Sequence, residues 1–347
     1  MHLLTEYTEI DPTQWSALVG KSSTGTWFQQ PEAYVFYARM PELLEPFVIG
    51  VTGDGLRVTG DGAKETLRAV CVGYVTKERS RLKQFFTRRA IIPGGVCLAD
   101  DCSQAEAEAL LVAVRSRLER KAIYIETRNY NDYSRWKEAF AHAGFAYQPH
   151  LNFHIDCSDR SAMDARLSDV RRRQLKKAAK SGATVKSEGI TEAEVQEFYR
   201  ILSRLYKTKV KSPLFPLEFF LTFLRNETGK YLLVQYEGKV IGGMMCPIFA
   251  NPERSCIYEW YVCGLDSDYK EQYPSVMATY AAMDYAASNG IKRFDVMGAG
   301  QPGVPYGVRD FKSEFGGTLV ENGRFVSVQN RLLFRIGSWA VKLIKMC

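Results

Sequence analysis

The stretch Gly290 to Gly317, GIKRFDVMGAGQPGVPYGVRDFKSEFGG, decides how the chain is read, because a strand, a glycine-rich loop and a lysine-bearing helical turn follow one another directly. Phe294-Asp295-Val296-Met297 has the alternation of a short strand. Gly298, Gly300, Pro302, Gly303, Pro305 and Gly307 then exclude regular structure for about a dozen positions. A loop of that length and composition usually serves a ligand. In Phe311-Lys312-Ser313-Glu314-Phe315-Gly316-Gly317 the two phenylalanines, four apart, share a helical face, and the glycine pair closes the turn. Two readings of Lys312 stand: a solvated lysine beside two rings that plug the core, or a cation belonging to the ligand loop.

Upstream, Tyr258-Glu259-Trp260-Tyr261-Val262 reads as a strand, Gly264 to Tyr273 as a polar loop, and Pro274 to Ala287 as a helix ending at Asn289-Gly290. Tyr273-Pro274-Ser275 at the helix start, Gly290 to Asp295 entering the strand, and Gly298 followed by Phe311-Lys312 and Phe315-Gly316-Gly317 carry a resemblance. With these residues the sequence resembles the FemABX-type peptidoglycan aminoacyltransferases and their relatives with the GNAT (acyl-CoA N-acyltransferase) fold. The resemblance implies an α/β (α+β) protein of two tandem GNAT-like subdomains. It also implies transfer of an aminoacyl group to an amine of a cell-envelope precursor such as a muropeptide. The long helical arm of some Fem proteins has no heptad counterpart here.

A length of 347 residues makes two domains the default, and 46% hydrophobic residues exclude a disordered chain. The formal charge of +7 is unevenly placed. Arg171, Arg172, Arg173, Lys176, Lys177 and Lys180 crowd one helix, and Arg331, Arg335, Lys342 and Lys345 lie near the C-terminus. Such patches suit phosphates, anionic lipid or RNA, or are simply solvated helix faces. The eight cysteines form no C-x-x-C pair, which fits reduced thiols in a cytoplasmic protein. The four histidines include His150 and His154, but these fall on a strand pattern without further ligands, so no metal site is expected. No apolar run reaches membrane-spanning length, and Met1 to Ile10 is no secretory signal. The expected location is the cytoplasm, with a peripheral position at the inner face of the membrane left open.

Along the chain, Asp11-Pro12 starts a helix, and Phe28 to Tyr34 begins a second. Phe47 to Val51 and Leu67 to Val75 read as strands around a Gly/Asp-rich hairpin loop, Gly53 to Ala63, and Ile91 to Val96 reads as a loop. The amphipathic helix Ala105 to Arg120 leads into the strand Ala122 to Thr127, as the helix 274–289 leads into Arg293 to Met297. That parallel suggests a repeated α/β unit. Ser168 to Ser181 reads as a helix with Leu167, Val170, Leu175 and Ala178 or Ala179 inward. Thr191 opens another, and Tyr231 to Tyr236 with Val240 to Phe249 form a hairpin. The expected organisation is 1–157, 158–329 with the candidate site, and a basic amphipathic tail helix at 330–347. In that tail Leu332, Leu333, Ile336, Trp339, Ala340, Leu343 and Ile344 fall at helical spacing. Two readings of it stand, docking on its own protein and contact with a membrane surface.

Acyl transfer to an amine needs a polarised carbonyl, a deprotonated amine and stabilisation of the oxyanion, and no nucleophilic triad when the amine attacks directly. The resemblance gives Lys312 the task of neutralising phosphate or developing charge. Asp295 and Glu259 are the carboxylates placed to act as general base or to bind the amine, or else to hold loops. Trp260, Tyr261, Tyr273, Ser275, Gly298, Tyr306, Arg309 and Phe311 are the candidate substrate-binding residues. Arg172, Arg173, Lys176 and Lys177 are candidates for donor phosphates. No tightly bound cofactor is expected; the co-substrate is aminoacyl-tRNA or acyl-CoA. The loop from Gly264 to Tyr273 lacks the R/Q-x-x-G-x-G/A pattern of acyl-CoA enzymes, which tilts the reading to aminoacyl-tRNA. An acyl-CoA-dependent enzyme acting on a sugar, lipid or polysaccharide precursor is the alternative, and a non-catalytic RNA- or membrane-binding protein is a third.

Overall fold

The computed structural model describes residues 1–53, 66–78, 80–211, 213–226 and 229–346. The hairpin loop expected between Gly53 and Ala63 therefore lies almost wholly outside the described residues. The chain divides into two units, residues 1–150 with 321–347, and residues 151–320.

The first unit opens with β1 (His2–Leu4), α1 (Pro12–Lys21), α2 (Pro31–Ala38) and the long hairpin of β2 (Leu44–Gly53) and β3 (Thr66–Thr76). It continues through α3 (Arg81–Thr87), β4 (Ala90–Gly94), β5 (Cys97–Leu98), α4 (Gln104–Leu118), β6 (Tyr124–Asn129), α5 (Lys137–His142) and β7 (Ala146–Gln148). Local chemistry starts the helices as the sequence suggests. Asp11 accepts from the Thr13 amide at 2.9 Å with Pro12 in the first turn, and Ser103 with Glu106 closes a capping box on α4. Leu110, Leu111, Val114 and Leu118 of α4 pack in one core with Ile49, Val51, Cys71 and Val75 of the hairpin. Each such side chain contributes about 1.5–3 kcal/mol on burial.

The second unit comprises β8 (Leu151–Asp156), α6 (Arg160–Ala165), α7 (Asp169–Lys180), β9 (Thr184–Lys186), α8 (Glu192–Leu205), α9 (Leu217–Asn226), β10 (Gly229–Tyr236) and β11 (Lys239–Phe249). Then come β12 (Cys256–Tyr258), β13 (Tyr261–Gly264), α10 (Pro274–Ser288), β14 (Arg293–Asp295), α11 (Gly307–Ser313) and β15 (Thr318–Glu321). Val276, Ala282, Met283 and Ala286 of α10 share a core with Leu232, Met244, Ile257 and Phe294 of the strands. The chain ends in β16 (Arg324–Val328) and α12 (Arg331–Met346), which belong to the first unit.

The two sheets match position by position. The first runs β1, β2, β3, β4, β6, β16, β7 with β5 beside β3; the second runs β9, β10, β11, β12, β14, β8, β15 with β13 beside β11. In each, a hairpin leads to a parallel pair, β4 with β6 and β12 with β14, whose strands are joined through α4 or α10. The α/β architecture with two repeated units is therefore present.

Four expectations need correction. The strand expected over 258–262 is broken at Glu259 and Trp260: β12 and β13 both pair with β11, but only β12 also pairs with β14. Ile91 to Val96, expected as a loop, begins within β4; residues 91–94 are buried and pair with β6 despite Pro93 and Gly94. On α7, Val170 is exposed and Arg171 is buried in its place. The boundary expected at 157 falls at 150, because β8 pairs with β14; residues 324–328, expected in the second subdomain, pair with β6 and β7. Among the described residues no helix is long and apolar enough to cross a membrane.

Candidate functional site

The site grows from the point where two parallel strands part. β12 and β14 stay in register to Tyr258 opposite Asp295, and the Glu259 amide donates to the Asp295 carbonyl at 2.9 Å. Beyond that bond the strands separate. The Trp260 amide turns to the Met245 carbonyl at 3.1 Å, whereas the Val296 amide turns to Phe153 on β8 at 3.3 Å. The opening leaves backbone carbonyls on the β14 side without strand partners, and such groups need new donors when buried.

Lys312 supplies them. Its Nζ donates to the Val296 carbonyl at 2.6 Å and the Gly298 carbonyl at 3.0 Å, and lies 2.7 Å from Oε1 of Glu259, just past the end of β12. An ammonium has three hydrogens, and all three are engaged here. Lys312 and Glu259 are each only 7% exposed. The reading of Lys312 as a solvated lysine is thereby excluded. Burial pushes the Glu259 carboxyl above its ordinary range, and the neighbouring ammonium only partly offsets this.

A second set of groups holds the amides of the same loop root. Asp295, fully buried, accepts at Oδ1 from Asn152 Nδ2 at 2.7 Å and from the Met297 amide at 2.8 Å. Its Oδ2 lies 3.1 Å from His154 Nε2. Burial opposes ionisation of Asp295, but His154, Arg293 and Asn152 outweigh it and lower its pKa. Asn152 Oδ1 in turn accepts from the amides of Phe153 and Gly298, both at 2.9 Å. Together these bonds secure Met297 at φ 55°, a left-handed conformation that costs a non-glycine residue roughly 1–2 kcal/mol. Gly298 follows at φ 136°.

The other candidates fall around this root. Phe311 is half-buried, and the buried Arg171 guanidinium stacks over its ring at 4.3 Å and over Phe315 at 5.3 Å. Arg171 also donates to Gln174 Oε1 at 2.6 Å and to the Phe311 carbonyl at 3.4 Å, while Ser168 donates its amide to the Glu314 carbonyl at 3.0 Å. The start of α7 is thus fastened to α11. Further along α7, Lys177 pairs with Glu271 of the polar loop at 2.8 Å. Arg172 is paired with Asp169, whereas Arg173 and Lys176 are exposed and have no ion pair among the described residues.

Trp260 and Tyr261 are half-buried against α9, with Phe219 edge-on to Trp260 at 5.2 Å and Phe220 edge-on to Tyr261 at 5.0 Å. Tyr273 takes the left-handed conformation at φ 45° before Pro274. Ser275 does not point free: its amide and hydroxyl both donate to Asp266, the amide at 3.0 Å. Tyr306 is exposed on the glycine-rich loop, over Gly300, where a Cβ would lie 2.8 Å from the ring. Arg309 braces that loop by donating to the carbonyls of Gln301 and Val304.

Sequence reasoning missed Asn152, Arg171 and Asp266, and considered His154 only as a metal ligand. The available signal was the alternation Leu151-Asn152-Phe153-His154-Ile155, which sets Asn152 and His154 on one strand face. No cluster of three or more His, Cys, Asp or Glu suited to a metal occurs among the described residues.

Comparison with known proteins agrees with this architecture. Residues 166–313 match the model of an acetyltransferase (GNAT) domain. No curated protein sequence matches the chain. Among solved structures, FemX superposes with a TM-score of 0.69 at 14% identity over 97% of this chain and 99% of its own. L-PGS from Bacillus licheniformis gives 0.55 at 11% identity over 96% and 97%. A tandem GNAT protein from the clavulanic acid biosynthesis pathway gives 0.53 at 9% identity over 94% and 99%. The chain is accordingly a tandem GNAT-fold protein, similar in fold to FemX, with a recognisable acetyltransferase (GNAT) domain in its second half.

Proposed function

We propose that the protein is an acyltransferase that moves an aminoacyl group from aminoacyl-tRNA to an amine of a cell-envelope precursor, in the opening between β13 and β14. The observation that carries this reading is the parted strand pair whose loop root is fixed by Lys312, Glu259, Asp295 and Asn152. β13 pairs with β11 on one side and has no strand on its other edge among the described residues. The peptide of a muropeptide acceptor can add to such an edge by backbone hydrogen bonds. Lys312 then acts as a positioning residue: it keeps the loop backbone in one geometry, so that little ordering remains when substrates arrive. Glu259, whose raised pKa makes its carboxylate more basic than usual, takes a proton from the acceptor's ammonium and so frees the amine that attacks. The amine's electron pair forms the C–N bond, the ester C–O bond to the tRNA ribose breaks, and the nitrogen's surplus proton goes to the departing ribose oxygen.

The donor preference rests on the polar loop before α10. A pyrophosphate-binding turn offers free amides at a helix start. Here the amides of Leu265, Asp268, Tyr269 and Gln272 donate to carbonyls of the protein, and the Asp266 carboxylate already takes the Ser275 amide. A phosphate there would meet that carboxylate. The exposed Arg173 and Lys176 on α7 supply unpaired positive charge for a tRNA backbone. The acyl-CoA alternative is favoured by the acetyltransferase description of the matching domain model.

Thermal shift separates the two. Aminoacyl-tRNA and a UDP-linked muropeptide are each expected to raise the midpoint, with coenzyme A and acetyl-CoA leaving it unchanged. A rise with acetyl-CoA and none with aminoacyl-tRNA overturns the donor assignment.

A further inference from the structure

We propose that α3 and α12 of the first unit form a docking surface for an anionic lipid bilayer. α12 uses one face to pack on its own unit: Leu333 is buried, Phe334 lies edge-on to Tyr124 at 5.3 Å, and Gly337 passes the Phe86 carbonyl of α3. Its docking needs are thereby met, yet a second apolar stripe remains. Leu332, Ile336 and Trp339, spaced four and three apart on one helical face, are 69%, 44% and 66% exposed. On the neighbouring α3, Phe85 and Phe86 are exposed as well, their rings edge-on to each other at 5.0 Å. Single exposed apolar residues are ordinary, but five large ones on two adjoining helices mark an interaction surface.

Charge identifies the occupant. Residues 79–89 carry Arg79, Arg81, Lys83, Arg88 and Arg89, and residues 331–347 carry Arg331, Arg335, Lys342 and Lys345, with no acidic residue in either segment. These nine give the two segments a formal +9, against 37 basic and 39 acidic residues in the rest of the chain. A second copy would bring the same two basic, acid-free segments against themselves and be repelled. A bilayer with anionic headgroups accepts both the cations and the aromatic and aliphatic side chains, which lie at the depth of the headgroup boundary. The proposal concerns the first unit and does not rest on the donor or acceptor of the second.

The test uses the full chain with phosphatidylcholine vesicles and with vesicles containing phosphatidylglycerol. Flotation is expected with the anionic vesicles alone and is lost at high salt. Trp339 fluorescence shifts to the blue on binding, and Trp339→Phe removes that shift while flotation persists. The triple variant Phe85→Ser/Phe86→Ser/Trp339→Ser lowers partitioning at least about tenfold. Its circular dichroism and its transfer activity with soluble substrates stay as in the wild type. Equal flotation with neutral and anionic vesicles, undiminished flotation of the triple variant, or a wild-type dimer that the variant abolishes without any vesicle binding would each overturn the proposal.

Discussion

Lys312 holds two carbonyls and one carboxylate at once, so its removal strands three groups. The Lys312→Ala variant leaves Glu259 buried and unpaired and is expected to lose about 3–5 kcal/mol in denaturant unfolding. The double variant Lys312→Met/Glu259→Gln is expected to lose less than the two single losses combined, since no uncompensated charge remains. A loss below about 0.5 kcal/mol for Lys312→Ala, the size of an ordinary surface change, would contradict the engaged ammonium. The turn that carries Lys312 is legible from Phe311, Phe315 and the glycine pair. The inward direction of its amine is not, because the acceptors Val296 and Gly298 reach it only through the parting of β12 and β14. Asn152 is harder still: it meets Asp295 across 143 positions of sequence. Nothing local to either residue reveals that pairing.

At the scale of elements, the capping box that opens α8 makes a pH-dependent prediction. Glu194 accepts from Lys186 Nζ at 2.7 Å, Gln235 Nε2 at 2.8 Å and the Thr191 amide at 2.8 Å, joining β9 and β10 to the helix start. Burial alone would raise its pKa, but Lys186 and Thr191 bring it from 4.5 down to about 2. A lowered carboxyl pKa means that folding favours the ionised form. Its contribution is complete above the unfolded value of 4.5 and disappears as pH falls through about 2. The melting-temperature gap between wild type and Glu194→Gln is therefore expected to be widest near neutral pH and to close across that interval. A constant gap would show that the carboxylate's charge contributes nothing. Helices with caps, such as α1, α4 and α8, are legible in sequence because cap and apolar face lie within a few residues. β4 is not, since Pro93 and Gly94 imitate a loop until β6 pairs with them. The broken strand at Glu259 also escapes local reading: β12 and β13 both pair with β11, and only β12 also pairs with β14.

Over the whole molecule, the repeat is visible as an order of elements, helix 104–118 into β6 and helix 274–288 into β14, although the two halves share little residue identity. The assignment of the last strand is not visible, because a strand's sequence does not name its sheet. β16 fills in the first sheet the place that β8 fills in the second. Phe325 of β16 stacks on Phe140 at 3.8 Å. Ending the chain after Asn322 is expected to abolish folding of residues 1–150, seen as rapid proteolysis of that segment, whereas ending it after Gln329 preserves protection. Equal protection in both would show that β16 is dispensable.

The central claim is that the opening between β13 and β14 transfers an aminoacyl group. The most direct measurement incubates the purified protein with tRNA charged with a labelled amino-acid mixture and a UDP-linked muropeptide, in parallel with labelled acetyl-CoA and the same acceptor. The account expects label to reach the acceptor from tRNA alone, and to fall at least about a hundredfold in Gly298→Val, where a β-branched residue disturbs the loop root. Label arriving from acetyl-CoA, or undiminished transfer by Gly298→Val, would contradict it.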